Sequence, residues 1–165
     1  MNYKYPLPAG QLLEYYKGRL YVASGNYLYF SDPYADYYDQ RRSVYQFNGE
    51  ITLLRAVESG IFIADGKTHF LKGDSPLEFQ KIENILDSDA IIYSDGRILG
   101  EYIGKKVGLE YAIWTSTKGI CIGDPEGSAV IVSDSYAMQY SSYRRGAGLF
   151  WKTDGKEQYI GVLTI

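Results

Sequence analysis

The stretch at residues 19–30 is RLYVASGNYLYF, two apolar and aromatic runs joined by the pair Gly25-Asn26. Such runs favour β-strands, because aromatic and β-branched side chains pack well on a pleated, half-buried surface. A Gly-Asn pair between them is typical of a tight hairpin turn, where positive φ angles are needed. The stretch therefore predicts an antiparallel β-hairpin.

The same organisation recurs at residues 60–71, 90–99, 111–122 and 149–160. The five turn glycines are separated by 41, 30, 23 and 36 residues and are Gly25, Gly66, Gly96, Gly119 and Gly155. This spacing is of the order of the roughly 40 residues in a four-stranded propeller blade. We predict an all-β fold of repeated antiparallel hairpins, propeller-like with about four small blades. Whether the blades close into a ring is left open.

Further strands are predicted at residues 51–57, 79–82, 129–132 and 161–163. The best helix candidate is Ile82–Leu86, which is too short for more than about one turn. No linker or change in composition divides the chain, so residues 1–165 are predicted to form a single domain.

Composition and charge argue against several classes of partner. The net charge is −3 and no basic run exceeds two residues, whereas a nucleic-acid-binding surface needs a strong positive excess. No stretch approaches the roughly 18 apolar residues of a membrane span, and the start lacks the apolar segment of a secretory signal. We therefore expect neither nucleic acid nor membrane as a partner.

Residues for catalysis or metal binding are sparse. His69 is the one histidine and Cys121 the one cysteine, so a His-rich or thiolate metal site is not expected. No nucleophile or phosphate-binding motif is present. Most aspartates stand in turns, where the side chain bonds its own backbone, and Gly123–Gly127 lacks the ligands of an EF-hand loop. We expect a protein without catalytic activity, metal or cofactor.

Two tyrosine- and arginine-rich segments, residues 31–42 and 133–145, each follow an apolar strand. Tyr and Arg are enriched at the centres of protein interfaces. The alternative is that these segments are connecting loops whose rings cover the ends of the sheets. The candidate interface residues are Tyr34, Tyr37, Tyr38, Arg41, Arg42, Tyr136, Tyr140, Tyr143, Arg144 and Arg145.

Several of these stretches resemble propeller-like structural proteins of tailed bacteriophages. The similarity lies in Gly18–Asn26 with Leu28–Pro33, in Gly60–Ala64 with Thr68–Gly73, in Trp114–Gly127 and in Gly155–Leu163. The relatives have more blades than this chain can hold. The resemblance implies a part of the virion, made in the host cytoplasm and placed in or near the tail, and supplies no catalytic residues.

The sequence thus favours a non-enzymatic assembly protein of a phage particle. It would act on other virion proteins, as a homo-oligomer or as a component of a ring. The main alternative is a carbohydrate-binding module whose tyrosine rings stack on sugars. A small glycosidase is disfavoured, since no pair of carboxylates is identifiable as acid and base.

Overall fold

Three four-stranded antiparallel sheets form the body of the protein in a computed structural model that describes residues 3–132 and 144–165. We name them blades 1, 2 and 3. Blade 1 follows a short strand β1 (Lys4–Pro6) and contains β2 (Leu12–Tyr16), β3 (Arg19–Ser24), β4 (Tyr27–Phe30) and β6 (Val44–Gln46). The intervening strand β5 (Tyr37–Asp39) leaves the blade and pairs with β1.

In blades 2 and 3 every strand pairs with the next one in the chain. Blade 2 contains β7 (Leu53–Val57), β8 (Gly60–Ala64), β9 (Thr68–Lys72) and β10 (Gln80–Leu86). Blade 3 contains β11 (Gly96–Leu99), β12 (Glu110–Ser116), β13 (Gly119–Gly123) and β14 (Ala129–Ile131). A two-stranded sheet, the outer hairpin, consists of β15 (Arg145–Thr153) and β16 (Lys156–Thr164). Two 3₁₀ turns lie at Pro76–Glu78 and Gly100–Ile103.

The prediction of an all-β, propeller-like fold is confirmed, and none of the sheets closes on itself within the described residues. Four of the five predicted hairpins form as expected: β3–β4, β8–β9, β12–β13 and β15–β16. In the β3–β4 hairpin, Gly25 has φ +60°, a conformation that costs glycine little because it has no Cβ.

No helix among the described residues is long and apolar enough to cross a bilayer.

The hairpin predicted at residues 90–99 is wrong. Ala90 and β11 instead lie one after the other along the same neighbouring strand, β12. The link between them bulges at Tyr93, which has φ +66°. The hydroxyl of Ser94 secures this bulge by donating to the carbonyl oxygen of Ile91 and accepting the amide of Thr115. A contact with a distant strand therefore overrides the local Asp-Gly turn signal.

The best helix candidate, Ile82–Leu86, is a strand in the structure, because this segment belongs to β10. The pairing of β10 with β9 is irregular between Ile82 and Leu86. Asn84, with φ +54°, stands at this irregularity. A bulged edge strand loses the strict alternation of side chains, so it resembles a helical turn in sequence.

The blades stack face to face. Tyr21 and Phe30 of blade 1 pack with Leu54, Ile61 and Ile63 of blade 2 in one buried cluster. Successive side chains of a strand point to opposite faces of its sheet, so the remaining apolar residues of blade 2 point away from blade 1. Blade 2 therefore needs a second neighbour.

Blade 3 covers that opposite face. The ring of Phe62 lies 5.5 Å from the ring of Trp114 and 4.7 Å from that of Phe70, measured between centroids. Cys121 belongs to the same buried cluster. The far face of blade 3, around Ile113, packs in turn with Tyr159 of the outer hairpin. The outer hairpin thus occupies the position of a fourth blade.

Charged side chains join the first strands of the three blades. Glu14 of β2 is 6% exposed, and its carboxylate lies 3.7 Å from Arg55 of β7 and 2.7 Å from Arg97 of β11. Arg55 also reaches Asp95, with 2.6 Å between Nε and Oδ2. The amide of Ala56 donates to Glu14 over 2.9 Å. The buried carboxylate of Glu14 therefore connects all three blades. We call Glu14, Arg55, Arg97 and Asp95 the axial ion network.

Replacing Glu14 with alanine should strongly destabilise the protein. Removing one member of a buried ion pair leaves its partners uncompensated and typically costs about 3 kcal/mol or more. The matched control is Glu110→Ala, since Glu110 is exposed and lies 3.9 Å from Arg97; such a surface pair contributes about 1 kcal/mol or less. Urea unfolding measures both values, and equal losses would show that the axial ion network does not hold the blades.

Candidate interaction surfaces

Backbone hydrogen bonds fix the first tyrosine- and arginine-rich segment, residues 31–42. The amide of Asp32 donates to the carbonyl oxygen of Tyr37 over 2.9 Å, and the amide of Leu7 donates to that of Asp36 over 3.1 Å. The Asp32 carboxylate also forms an ion pair with Lys4. This corner of the protein is therefore an ordered surface built on the β1–β5 sheet.

Tyr34 is the most exposed ring of this corner, at 88%. Its φ is +55°, in the left-handed region, and its amide donates to the carbonyl oxygen of Gly18 over 2.6 Å. A bulky residue rarely adopts this conformation, and strained residues cluster at functional sites. The fold thus holds the ring of Tyr34 out to solvent at some conformational cost.

Tyr37 and Tyr38 point in opposite directions. Tyr37 is partly exposed, with the Lys4 ammonium 5.9 Å from its ring centroid. Tyr38 is 8% exposed and packs edge-on against Tyr29, with 5.4 Å between centroids. Burial also raises the pKa of the Tyr38 hydroxyl. The expectation that Tyr38 offers its ring to a partner is not met in this structure, because the β-strand alternation turns that ring inward.

The two arginines of the segment are exposed. The guanidinium of Arg41 lies 3.4 Å from the centroid of the Tyr3 ring and 4.0 Å from Asp39. The amide of Arg42 donates to the carbonyl oxygen of Asp39 over 3.2 Å. Arg41 is therefore stacked within the protein, whereas the structure fixes Arg42 through its backbone.

Most of the second segment lies outside the described residues, including Tyr136, Tyr140 and Tyr143. Arg144 and Arg145 are described, and both are exposed. The amide of Arg144 donates to the carbonyl oxygen of Thr164 over 3.0 Å, and Arg145 forms a parallel bridge with Ile92. These two arginines therefore lie where the outer hairpin joins blade 3.

A further surface, which sequence reasoning missed, is one face of the outer hairpin. Leu149 pairs with Ile160 and Ala147 pairs with Val162, so these residues and Trp151 share a face. Leu149, Trp151 and Val162 are 54%, 56% and 60% exposed. We call this apolar surface the hairpin face. The opposite side meets blade 3, where a Cβ on Gly148 would lie 2.6 Å from the carbonyl oxygen of Ser94.

On the outer side of blade 1, the β1–β5 sheet covers Tyr29 with the ring of Tyr38, and the strand β2 leaves a small apolar surface exposed. Leu13 and Tyr15 of β2 are 67% and 57% exposed. Between them Glu14 faces blade 2, so Leu13 and Tyr15 point away from it. We call this surface the blade 1 face.

The one histidine is tied into the structure of blade 2. His69 is buried, its Nε2 lies 2.5 Å from Oδ1 of Asp65, and its Nδ1 accepts the amide of Asn84 over 3.0 Å. Since Nδ1 accepts, the ring proton is on Nε2 and is donated to Asp65. The imidazole therefore links the β8–β9 turn to the bulge in β10. Among the described residues, no group of three His, Cys, Asp or Glu could hold a metal ion.

Tyr38 and Tyr34 should respond oppositely to substitution. Tyr38→Ala removes a packed ring and should cost about 2 kcal/mol or more of unfolding free energy. Tyr34→Asn removes an exposed ring at a left-handed position that Asn tolerates, so the change should stay within about 0.5 kcal/mol. Urea unfolding of the isolated protein distinguishes them. A large loss in Tyr34→Asn would make that ring part of the internal packing.

Cys121 should be unreactive while the protein is folded. Burial raises the pKa of its thiol to about 11, and the thiolate is the reactive form. The thiol ionises near pH 9 in the unfolded chain but only near pH 11 in the folded protein, so burial of the neutral thiol contributes fully to stability below pH 9. As pH rises from 9 towards 11 the unfolded chain ionises first, and the free energy of unfolding falls. A thiol reagent at pH 8 should modify urea-unfolded protein only. Between pH 9 and 11 the native protein should lose stability more steeply than Cys121→Ala, and parallel losses would contradict this assignment.

No protein-family model matches this sequence, and a search of curated proteins finds no significant match.

Proposed function

We propose that this protein is a non-enzymatic structural component that acts through protein–protein contacts. The observation that carries the proposal is the hairpin face, a contiguous apolar surface around Leu149, Trp151 and Val162. Exposed apolar patches of this kind mark sites of association on soluble proteins. Within this face, Trp151 is the residue that we expect to contribute most to binding, since tryptophan is enriched among the residues that dominate binding energy.

The energetics of the hairpin face support an assembly role. Fully burying a large apolar side chain contributes about 1.5–3 kcal/mol, and Leu149, Trp151 and Val162 each leave more than half of their surface exposed. The same alternation places Arg145 at one end of this face, beyond Ala147. A partner that covers Leu149 and Trp151 therefore gains apolar contacts without desolvating a charge between these two residues.

We further propose that the assembly is the particle of a tailed bacteriophage, with the protein in or near the tail. Support for this part comes from the resemblance of its hairpin segments to propeller-like phage structural proteins, and from the stack of small blades. Other virion proteins are then the partners. Tyr34 and the exposed Arg42 offer a second contact surface on the same molecule.

Carbohydrate binding is the second candidate function, and the exposed ring of Tyr34 favours it. Apolar faces of sugars stack on such rings, as they do in the binding sites of lectin-like modules. Glycan-array binding that Tyr34→Asn abolishes would support this alternative.

The assembly proposal predicts that the protein is a fixed part of purified particles. Quantitative mass spectrometry of gradient-purified virions should find it in a constant ratio to the major capsid protein. Its presence only in the soluble fraction of lysed cells would contradict the proposal.

Trp151→Ser should reduce incorporation into particles, because loss of an interfacial tryptophan typically costs about 2 kcal/mol or more. The control is Leu77→Ser, which alters an apolar residue that is 76% exposed in the 3₁₀ turn of blade 2, outside the hairpin face. Equal incorporation of both variants would show that the hairpin face makes no contact in the particle.

A further inference from the structure

The outer hairpin corresponds to half of a blade. Each of the three blades has four strands, whereas the outer hairpin has two within the described residues. The amide of Gly146 in β15 donates to the carbonyl oxygen of Ile92 over 2.8 Å. The amide of Gly148 donates to the carbonyl oxygen of Tyr93 over 3.1 Å. One edge of β15 is thus bound to the start of blade 3, and β16 lies on the side of the outer strands.

The outer part of the far face of blade 3 is incompletely covered. Tyr159 of β16 packs over the inner part of this face, around Ile113. Further out, Ile122 of β13 pairs with Val130 of β14 on the same face. Val130 is 54% exposed, and a cleft of about 570 Å³ opens beside it. A third strand added to the outer hairpin would cover this cleft.

The edge of β16 differs from the outer edges of the three blades. The edge strands β6 and β14 have three residues each. The edge strand β10 is irregular at Asn84 and exposes Lys81 and Glu83. Short, bulged or charged edges resist pairing with another chain. In contrast, β16 has nine residues in unbroken register with β15, and its residues 158–164, QYIGVLT, contain neither a charge nor a proline.

The register of the outer hairpin shows which backbone groups lie on the open edge of β16. In an antiparallel pair, opposite residues alternate between bonding each other and pointing both sets of backbone groups outward. Gly146 and Gly148 direct their amides away from β16, so their opposite residues, Leu163 and Gly161, direct theirs away from β15. No strand within the described residues pairs with this edge.

We propose that a partner protein adds an extended strand to the open edge of β16. Its backbone bonds Gly161 and Leu163, and its apolar side chains cover Ile122 and Val130. This mode of recognition combines main-chain hydrogen bonds with pockets for alternate side chains. The inference rests on the proposed role in protein–protein contacts and specifies how the partner binds.

The charges at one end of the cleft indicate one further feature of the added strand. Lys105 and Lys106 are exposed there. Glu126 lies 3.4 Å from Lys106, and one carboxylate oxygen of Asp124 accepts three amides of its own turn. An acidic residue on the added strand therefore complements Lys105 at this end.

Hydrogen exchange of the free protein, followed by NMR, tests whether the edge is open. The amides of Ile160 and Val162 point towards β15 and should exchange slowly. The amides of Gly161 and Leu163 should exchange much faster, because no strand protects them. Slow exchange of all four amides in the free protein would overturn the proposal, since the edge would then already be covered within the chain.

A pair of substitutions at Gly161 tests strand addition itself. A proline is tolerated on an edge strand where the amide bonds no neighbour, and it blocks pairing there. The matched control is Gly161→Ala, which keeps the amide; a Cβ at this position comes no closer than 3.4 Å to the nearest atom. Circular dichroism of Gly161→Pro and Gly161→Ala checks that the fold is retained.

The probe is a synthetic peptide in which valine and threonine alternate and one end carries glutamate. It should slow exchange at Gly161 and Leu163 in the native protein and bind Gly161→Ala equally well. Gly161→Pro should weaken its binding about 10-fold or more. The same peptide with methylated backbone nitrogens should not bind the native protein, which tests the proposal without altering the chain. Equal binding of both peptides, or no effect on Gly161 and Leu163, would overturn strand addition.

Incorporation into particles separates this inference from the proposed function. Gly161→Pro should be incorporated less than Gly161→Ala. If Trp151→Ser were lost from particles while both Gly161 variants entered equally, the assembly role would stand and strand addition would be overturned. If the protein were absent from virions but bound the peptide in the proline-sensitive manner, the phage assignment would fail and strand addition would stand.

Discussion

A sheet with two apolar faces must be covered on both, and this constraint governs the whole molecule. In blade 2 the alternation of side chains sends Ile61 to one side and Phe62 to the other, and both are fully buried. Blade 1 covers the first side and blade 3 the second. Blade 3 also has two apolar faces, and Tyr159 of the outer hairpin packs on its far face. The requirement stays unmet at Leu13 and at Trp151, where the stack presents apolar surface to solvent.

Apolar stacking has no direction of its own, so the position of each blade needs a more specific contact. The axial ion network supplies it. Glu14 binds arginines from both of the other blades and also accepts the amide of Ala56. A buried carboxylate that loses any of these partners becomes costly, and small displacements of one blade are therefore opposed. Within blade 2, His69 fixes the relative positions of two segments, because it bonds both Asp65 in the β8–β9 turn and the amide of Asn84 in the β10 bulge.

Local signals predicted the parts of the fold that depend on local chemistry. The Gly25 and Gly155 turns identify their hairpins because positive φ is needed there. The 90–99 segment was misassigned because Ser94 bonds a strand about twenty residues away, which no local pattern reports. The strand β2 was missed because its sequence, LLEYY, carries the buried Glu14 where an apolar residue is expected. Its charge is explained only by the two arginines that the fold brings to it.

The candidate surfaces were predictable to different degrees. Exposure of Tyr34 agrees with the tyrosine-rich pattern, but burial of Tyr38 depends on Tyr29 from another strand. The hairpin face could have been noticed from the alternation of Ala147, Leu149 and Trp151. Alternation alone does not say which side of a hairpin is covered, and that required the contact of Tyr159 with blade 3.

The central claim is that the hairpin face is a contact surface, and quenching of tryptophan fluorescence tests it directly. The protein has two tryptophans: Trp114 is fully buried, and Trp151 is more than half exposed. Acrylamide should quench Trp151 readily in dilute solution. It should quench Trp151 much less when a partner protein covers the hairpin face, whereas Trp114 stays shielded in both states. Quenching of Trp151 that is the same in the free and the partner-bound protein would contradict the claim.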